Sequence, residues 1–519
     1  MNFAALRVIA LNEMRLRVRR LSTLVALLAV VALSWLLIAD PATGHTLIVV
    51  NGQRALYTSQ ALAFGSANLA GLLLGLASFY LLRGRVAEDL QSGMGAVIGA
   101  TQAGSALLAL GRWLGGLAYL LFLLVAYLFA TLALHGLRGE GPIELLVYLE
   151  TYALLLVPMA CYGAACAVLF DNIGMLVGRA GDVLYFVVWL AQFVLVVAAG
   201  EERGMSWVAL VDFSGLSLSM LAMSQHFDTR SFELGAASFD AALVPMLMPA
   251  TLWTMREWGL RAFTTVLAVL PLLPAILLFH RYSPDRVRAG SARRSRIAAL
   301  CNRMMAPLAL LARPLPALAM RLPGFSGEVL AEVALVLRSS PAAVGALLGT
   351  GIAALVADSA AMQPVMMAGV ACWGVIICGI IPRDWQSGAD AMTSALPGGA
   401  TRRYLRQWTA SVLLAAPCLG VSALRLAADA PLRALAVVAG VLALASAAAL
   451  LGTLTRGSRL FLALFLFAWF VAVNATTLAM ADMVGFNGVA DGASIAAWAA
   501  AGCAAWAAGL ACCRWRAAA

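Results

Sequence analysis

Apolar and polar residues run along this chain in long blocks. Six apolar stretches fall in its first part: Leu24–Ala39, Leu62–Leu82, Leu107–His135, a fourth ending near Phe170, Val183–Ala199 and Phe263–Phe279. Six more follow near residues 342–357, 364–381, 408–427, 432–453, 460–480 and 494–511. A helix needs roughly 20 apolar residues to cross a hydrocarbon core of about 30 Å, and many of these stretches have that length. The pattern predicts an all-α polytopic membrane protein with about 12 transmembrane helices.

Two segments of mixed polarity precede these blocks. Residues 2–20 set Phe3, Leu6, Ile9 and Leu16 against Arg7, Glu13, Arg15, Arg17, Arg19 and Arg20, as an amphipathic helix in the membrane interface would. Gly327–Pro341, with Glu328, Glu332 and Arg338, has a similar character ahead of the seventh block. The long basic lead-in to Leu24, and the lack of a clean A-x-A site, favour an uncleaved first span over a signal peptide. Asp40–Gln60 is expected to form a polar loop. Residues 200–260 are the longest non-spanning stretch outside the centre, and a piece such as Ala241–Thr254 is too short to cross, so it is expected to be an interfacial or re-entrant helix. The basic run Arg281, Arg286, Arg288, Arg293, Arg294 and Arg296 assigns the centre of the chain to the cytoplasm, with both termini on the same side. The expected division is a first six-helix half, 1–282, a cytoplasmic linker, 283–325, and a second six-helix half, 326–519.

An internal repeat reinforces that division. Asp89-Leu90-Gln91-Ser92-Gly93 returns as Asp384-Trp385-Gln386-Ser387-Gly388, and each copy is followed 20 positions on by a tryptophan, Trp113 or Trp408. Between Gly84 and Trp113 a shift of 295 residues gives ten identities without a gap. Alanine and leucine matches come cheaply in so apolar a chain; D-x-Q-S-G with a spaced tryptophan does not. Repeats of this kind decide architecture, and this one implies two related six-helix halves. Each copy is a short polar excursion between two apolar blocks. Its Asp can cap a short helix, and its Gly permits an abrupt turn.

Composition narrows the chemistry. The chain has 519 residues, 63% of them hydrophobic and 12% charged, against about 25% charged in soluble domains. Its net charge of +10 is the excess that basic cytoplasmic loops produce, so it gives no reason to invoke nucleic acid. All 35 basic residues are arginine. A phosphate-binding loop of the G-x-x-x-x-G-K-[ST] type needs its lysine, so that class of ATPase site is excluded from this chain, as is lysine Schiff-base chemistry. The nine cysteines fall in apolar stretches or on the expected cytoplasmic side and read as small apolar residues, and the four histidines have no metal-like spacing. No metal or cofactor is expected in this chain.

An acidic residue and glycine after the second span, then Leu396-Pro397-Gly398-Gly399, then a basic segment with Arg402 and Arg403 entering the next span, resembles the ABC type-2 permease (transmembrane subunit) family. The amphipathic segments with Glu and Arg resemble that family's elbow helices. The resemblance implies two fused permease units, each with a short cytoplasmic coupling helix contacting a separate nucleotide-binding subunit. Two copies of that partner would carry ATP and Mg, and the chain would export an apolar or amphipathic compound across a bacterial inner membrane. It points to Glu88, Asp89, Gln91, Ser92 and Gly93, with Asp384, Gln386, Ser387 and Gly388, as coupling residues. The first half departs from the pattern, with Thr101-Gln102-Ala103-Gly104 in place of the Leu-Pro turn and Leu107 and Leu108 in place of the arginines. The simpler reading of the motif is a turn that orients two spans. The major facilitator transporters are the rival family, with twelve spans and a repeated D-R-x-G-type motif; here no arginine follows either aspartate.

Other polar residues inside the blocks have alternative readings. Glu150 fits a structural hydrogen bond or a pathway contact, and Asn474 fits a neighbouring helix or a ligand. Arg425 and Asp429 are spaced for a local ion pair. Met220, Met223, Met246, Met248, Met362, Met366 and Met367 have the thioethers that copper(I) takes, but flexible apolar packing accounts for them more simply.

Overall fold

The computed structural model describes residues 3–518 apart from 174–175, 177, 200–206, 228–231, 280–302, 359–360, 396–398 and 477. The chain divides into two compact units, Met1–Ser295 and Arg296–Ala519. Among the described residues eight helices are long and apolar enough to cross a bilayer, or ten if two bent pairs count as one span each.

In the first unit α1 (Phe3–Val18) meets α2 (Leu21–Leu37) at a bend of 71°. A hairpin follows, β1 (His45–Val50) and β2 (Gln53–Arg54), then α3 (Ser59–Leu82), α4 (Arg85–Gln91) and α5 (Met94–Ala100). The long helices α6 (Ser105–Arg138), α7 (Leu145–Asn172) and α8 (Arg179–Ala199) complete most of the bundle. Short α9 (Val208–Val211), α10 (Leu216–Phe227) and β3 (Glu233–Ser238) lead to α11 (Met255–Val269) and α12 (Leu272–Leu278). Helix α3 is buried along most of its length and packs against α7. Phe79, Phe170 and Tyr185 stack between α3, α7 and α8, with Phe79 and Tyr185 parallel at 3.8 Å.

The second unit opens with α13 (Leu315–Arg321) and α14 (Gly324–Ser339), the latter bent by 103° from α15 (Pro341–Val356). Then come α16 (Met362–Ile377), short α17 (Arg383–Gln386) and α18 (Asp390–Ser394), and α19 (Gly399–Leu413). A wide turn around Pro417 joins α19 to α20 (Val421–Asp429), and α21 (Pro431–Thr455), α22 (Arg459–Asn474) and α23 (Gly492–Ala518) follow. Helices α16 and α22 have 16 residues each, about 24 Å of helix and short for a bilayer, so they fall outside the count above.

Three expectations need correction. Asp40–Gln60 and part of 200–260 build a three-stranded sheet, ordered β2-β1-β3 and antiparallel throughout. The sequence carried the signal. Asn51-Gly52 sits between strands with φ of 51° and 80°, as a two-residue hairpin turn requires, and β1 is rich in Thr, Ile and Val. Where β1 bulges between Thr46 and Ile48, the Leu47 N–H is taken by the Tyr57 hydroxyl at 2.8 Å, which in turn donates to the Ala39 carbonyl. Second, Ala241–Thr254 is not helical; it runs irregularly beside the sheet, with Leu56 and Met246 hydrogen-bonded. Third, residues 303–325 of the expected linker form helical structure within the second unit.

Candidate functional site

The two D-x-Q-S-G stretches adopt the same local geometry. In each, the serine N–H closes a helical turn four residues back, onto the Glu88 or Arg383 carbonyl at 2.9 Å. The glycine then turns the chain with φ of +75° at Gly93 and +72° at Gly388, a region that favours glycine over any L side chain. The serine hydroxyl backs onto the aspartate carbonyl, at 3.4 Å for Ser92 and 3.2 Å for Ser387. Both aspartates are buried. Asp89 Oδ2 accepts from Arg112 of α6 at 2.6 Å, and Asp384 Oδ2 accepts from Gln407 of α19 at 3.3 Å. Arg112 and Gln407 are themselves related by the 295-residue shift. The tryptophans complete the match: Trp113 donates to the Cys161 carbonyl on α7, and Trp408 to the Ser446 hydroxyl on α21.

Each turn is tied to the amphipathic helix of its own unit. Glu13, Arg17 and Arg20 lie on one face of the α1 end. Glu13 accepts from Arg85 at 2.8 Å, Arg17 donates to the Leu81 and Leu82 carbonyls that α3 leaves open, and Arg20 grips Glu88 at 2.5 and 2.8 Å. Arg85 also reaches Asp89 at 3.1 Å, so Asp89 lies between two guanidinium groups. Asp171, at the end of α7, accepts from the Gly84 and Arg85 N–H groups and satisfies the first turn of α4. Arg83 is buried against Asp182 at 2.5 Å, over the rings of Phe79 and Phe170. In the second unit Glu332 plays the part of Glu13, accepting from Arg383 at 2.5 Å and Arg406 at 3.0 Å, while Arg402 pairs with Glu328. The first unit has Gly111 where the second has Arg406. There α1 lies so close on α6 that a Cβ on Gly115 would stand 2.6 Å from the Ala10 carbonyl oxygen. Both units hold this helix by ion pairs, and the first adds close packing of α1 on α6.

The geometry sorts the sequence-predicted coupling residues. Asp89 and Asp384 face the interior and hold the turn. Glu88 is half-buried and engaged by Arg20 and Arg85. Ser92, Gly93, Gln386, Ser387 and Gly388 are exposed, and the Gln91 side chain lies outside the described residues. Of the exposed apolar residues beyond the glycines, Val97 and Met392, at 60% and 77% exposure, are related by the 295-residue shift. Sequence reasoning passed over them, because alanine-rich surroundings hide a single Val or Met.

A second recurring arrangement sits part-way along the first-unit helices, between Gly71 of α3 and Tyr162 of α7. Asp212-Phe213-Ser214-Gly215 dips between α3, α7 and α11. Phe213 stacks on Tyr162 at 4.2 Å, about 18 Å down α7 from Glu150 at 1.5 Å per residue. The Asp212 carboxylate accepts from the Ser214, Gly215 and Ser217 N–H groups and both serine hydroxyls. Arg261 of α11 holds the loop in place, donating to the Asp212 and Phe213 carbonyls and to those of Leu154 and Leu155. Pro158 has no N–H to offer Leu154, so Arg261 supplies the donor that the α7 ladder lacks. In the second unit Asp482-Met483-Val484-Gly485 repeats the D-x-x-G spacing. Asp482 is buried and accepts from the Asn487 and Val489 N–H groups, and Arg433 donates to the Gly485 and Phe486 carbonyls. The sequence had hidden this pair, because two residues in four are too few to rise above chance.

The remaining candidates have modest roles. Glu150 accepts from the Trp258 indole at 3.1 Å near the surface. Asn474 donates to Phe470 within its own helix, where the sequence reading looked to a neighbouring helix or a ligand. Arg425 binds the Ala354 and Ala357 carbonyls at the end of α15, rather than forming the expected pair with Asp429. Among the described residues no group of three or more His, Cys, Asp or Glu stands close enough to hold a metal ion. Comparison with protein-family models, with curated proteins and with solved structures finds no match to this chain.

Proposed function

We propose that this chain is the membrane-spanning permease subunit of an ATP-driven exporter that moves an apolar or amphipathic compound across a bacterial inner membrane. On this reading α2, α3, α6, α7, α8 and α11–α12 are the spans of one half, and α15, α16, α19–α20, α21, α22 and α23 those of the other. The D-x-Q-S-G turns and both termini face the cytoplasm, and the sheet marks the outer face.

One observation carries the proposal. In both units an exposed turn after the second span is fixed by an ion pair, Glu13–Arg85 or Glu332–Arg383, to an amphipathic helix bent from the first span. A push on the turn therefore reaches several helices, as a part that receives motion from a soluble motor requires. ATP and Mg would be bound by two copies of that separate ATPase. The buried Asp89 and Asp384 stiffen the turns, while Val97 and Met392 meet the motor.

The test is purification from the native host in mild detergent. A stoichiometric soluble ATPase is expected, and it should be lost in the Val97→Arg, Met392→Arg double variant while the chain still purifies folded. A chain that purifies alone and transports on a proton gradient without ATP is instead a secondary transporter of the major facilitator kind.

A further inference from the structure

An open groove of about 760 Å³ runs along the α13–α14 pair of the second unit. Its size falls within the roughly 300–1,000 Å³ of small-molecule sites. Gly327 brings the two helices together: a Cβ there would stand 2.5 Å from the Leu322 carbonyl oxygen. The walls are apolar, with Met320 83% and Leu335 51% exposed, and Arg338 stands at one end. Glu328 also lines the groove, but its charge is taken by Arg402 and Arg406. The other carboxylate of α14, Glu332, faces inward to Arg383 and Arg406. The groove is therefore apolar along its length and cationic at one end.

Charge and orientation agree on what fills it. From Arg303 to Gly327 the sequence has three arginines and no acidic residue. Helix α14 is bent by 103° from α15, so if α15 crosses the bilayer, α14 lies along its surface. Helix α14 runs about 24 Å along the groove and the seven-residue α13 about 10 Å, so an acyl chain of roughly 15 Å in one leaflet lies along α14 with α13 beside part of it. We propose that the groove holds an anionic phospholipid, with one acyl chain between α13 and α14 and the phosphate on Arg338. The expected linker is then a lipid-bound part of the membrane unit. This holds whether or not an ATPase drives the chain.

The full chain in nanodiscs of phosphatidylcholine with phosphatidylglycerol tests this, with retained lipid counted by native mass spectrometry. Wild type should retain phosphatidylglycerol preferentially. Arg338→Gln should lower that retention about five-fold, the worth of one basic residue near an anionic surface, and Arg338→Lys should keep most of it. A photo-cross-linker at position 320 should capture lipid. Equal retention of the two lipids, no effect of Arg338→Gln, or capture of protein instead of lipid at position 320 would overturn the proposal.

Discussion

Arg112 donates to Asp89 across 2.6 Å, whereas the corresponding Gln407 reaches Asp384 at 3.3 Å. Asp89 is thus held by two close charge pairs, with Arg112 and Arg85, and Asp384 by a neutral amide and a looser pair with Arg383 at 3.6 Å. Breaking a buried ion pair costs up to about 3–5 kcal/mol, less here because Arg85 still faces Asp89, while a lost neutral hydrogen bond costs about 1 kcal/mol. Arg112→Ala should therefore lower thermal stability in detergent well beyond Gln407→Ala. Equal losses would mean that Asp89 draws its compensation from Arg85 alone.

Arg261→Gln should free the Asp212–Gly215 loop. Each carbonyl left without a donor costs roughly 1–3 kcal/mol. Amide hydrogen exchange across residues 207–217 should accelerate, and a cysteine at position 213 should become reactive. Pro158→Ala gives the Leu154 carbonyl a helical N–H, so the double variant should be less destabilised than the sum of the two single changes. An additive cycle would show that Arg261 does not act through the proline break.

Glu140 closes the sheet end of the first unit, accepting two hydrogen bonds from Arg54 at 2.8 Å and one from the Tyr57 N–H. The Arg54 hydrogen bonds hold its carboxyl below the usual range, with partial burial opposing them. Because the folded value is depressed, the stabilisation is complete above the ordinary carboxylate pKa and fades as pH falls through the folded value. Acid should therefore loosen residues 45–58 before the helices, read by proteolysis as the pH is taken below the ordinary carboxylate range. Glu140→Gln should remove that pH dependence.

Gly115→Leu should push α1 away from α6, at a cost of about 1–3 kcal/mol for overpacking. Spin-label distances between the two helices should widen. Unchanged distances would show that Glu13, Arg17 and Arg20 are sufficient to hold α1.

The sequence by itself determined the class of molecule, because apolar blocks of spanning length cannot be placed anywhere but in a bilayer. It also located both turns: a positive-φ glycine and a buried aspartate tolerate so few replacements that D-x-Q-S-G stands out in an alanine-rich background. The helices with Glu13 and Glu332 were legible as charged segments ahead of each half, although in α1 only Glu13 and Arg17 turn to the buried side while Arg7 and Arg15 are exposed. Tertiary structure alone decided which of those residues face inward. Asp89 looked like a surface contact until Arg112 and Arg85 closed on it, since a charged side chain is read as exposed unless its partner is known. The Asp212 and Asp482 loops were invisible to sequence because their partners, Arg261 and Arg433, lie 49 residues on from Asp212 in one unit and 49 residues before Asp482 in the other. They are donors to backbone carbonyls, which every residue has, so nothing in the sequence marks the acceptors. Only folding brings the donor to them.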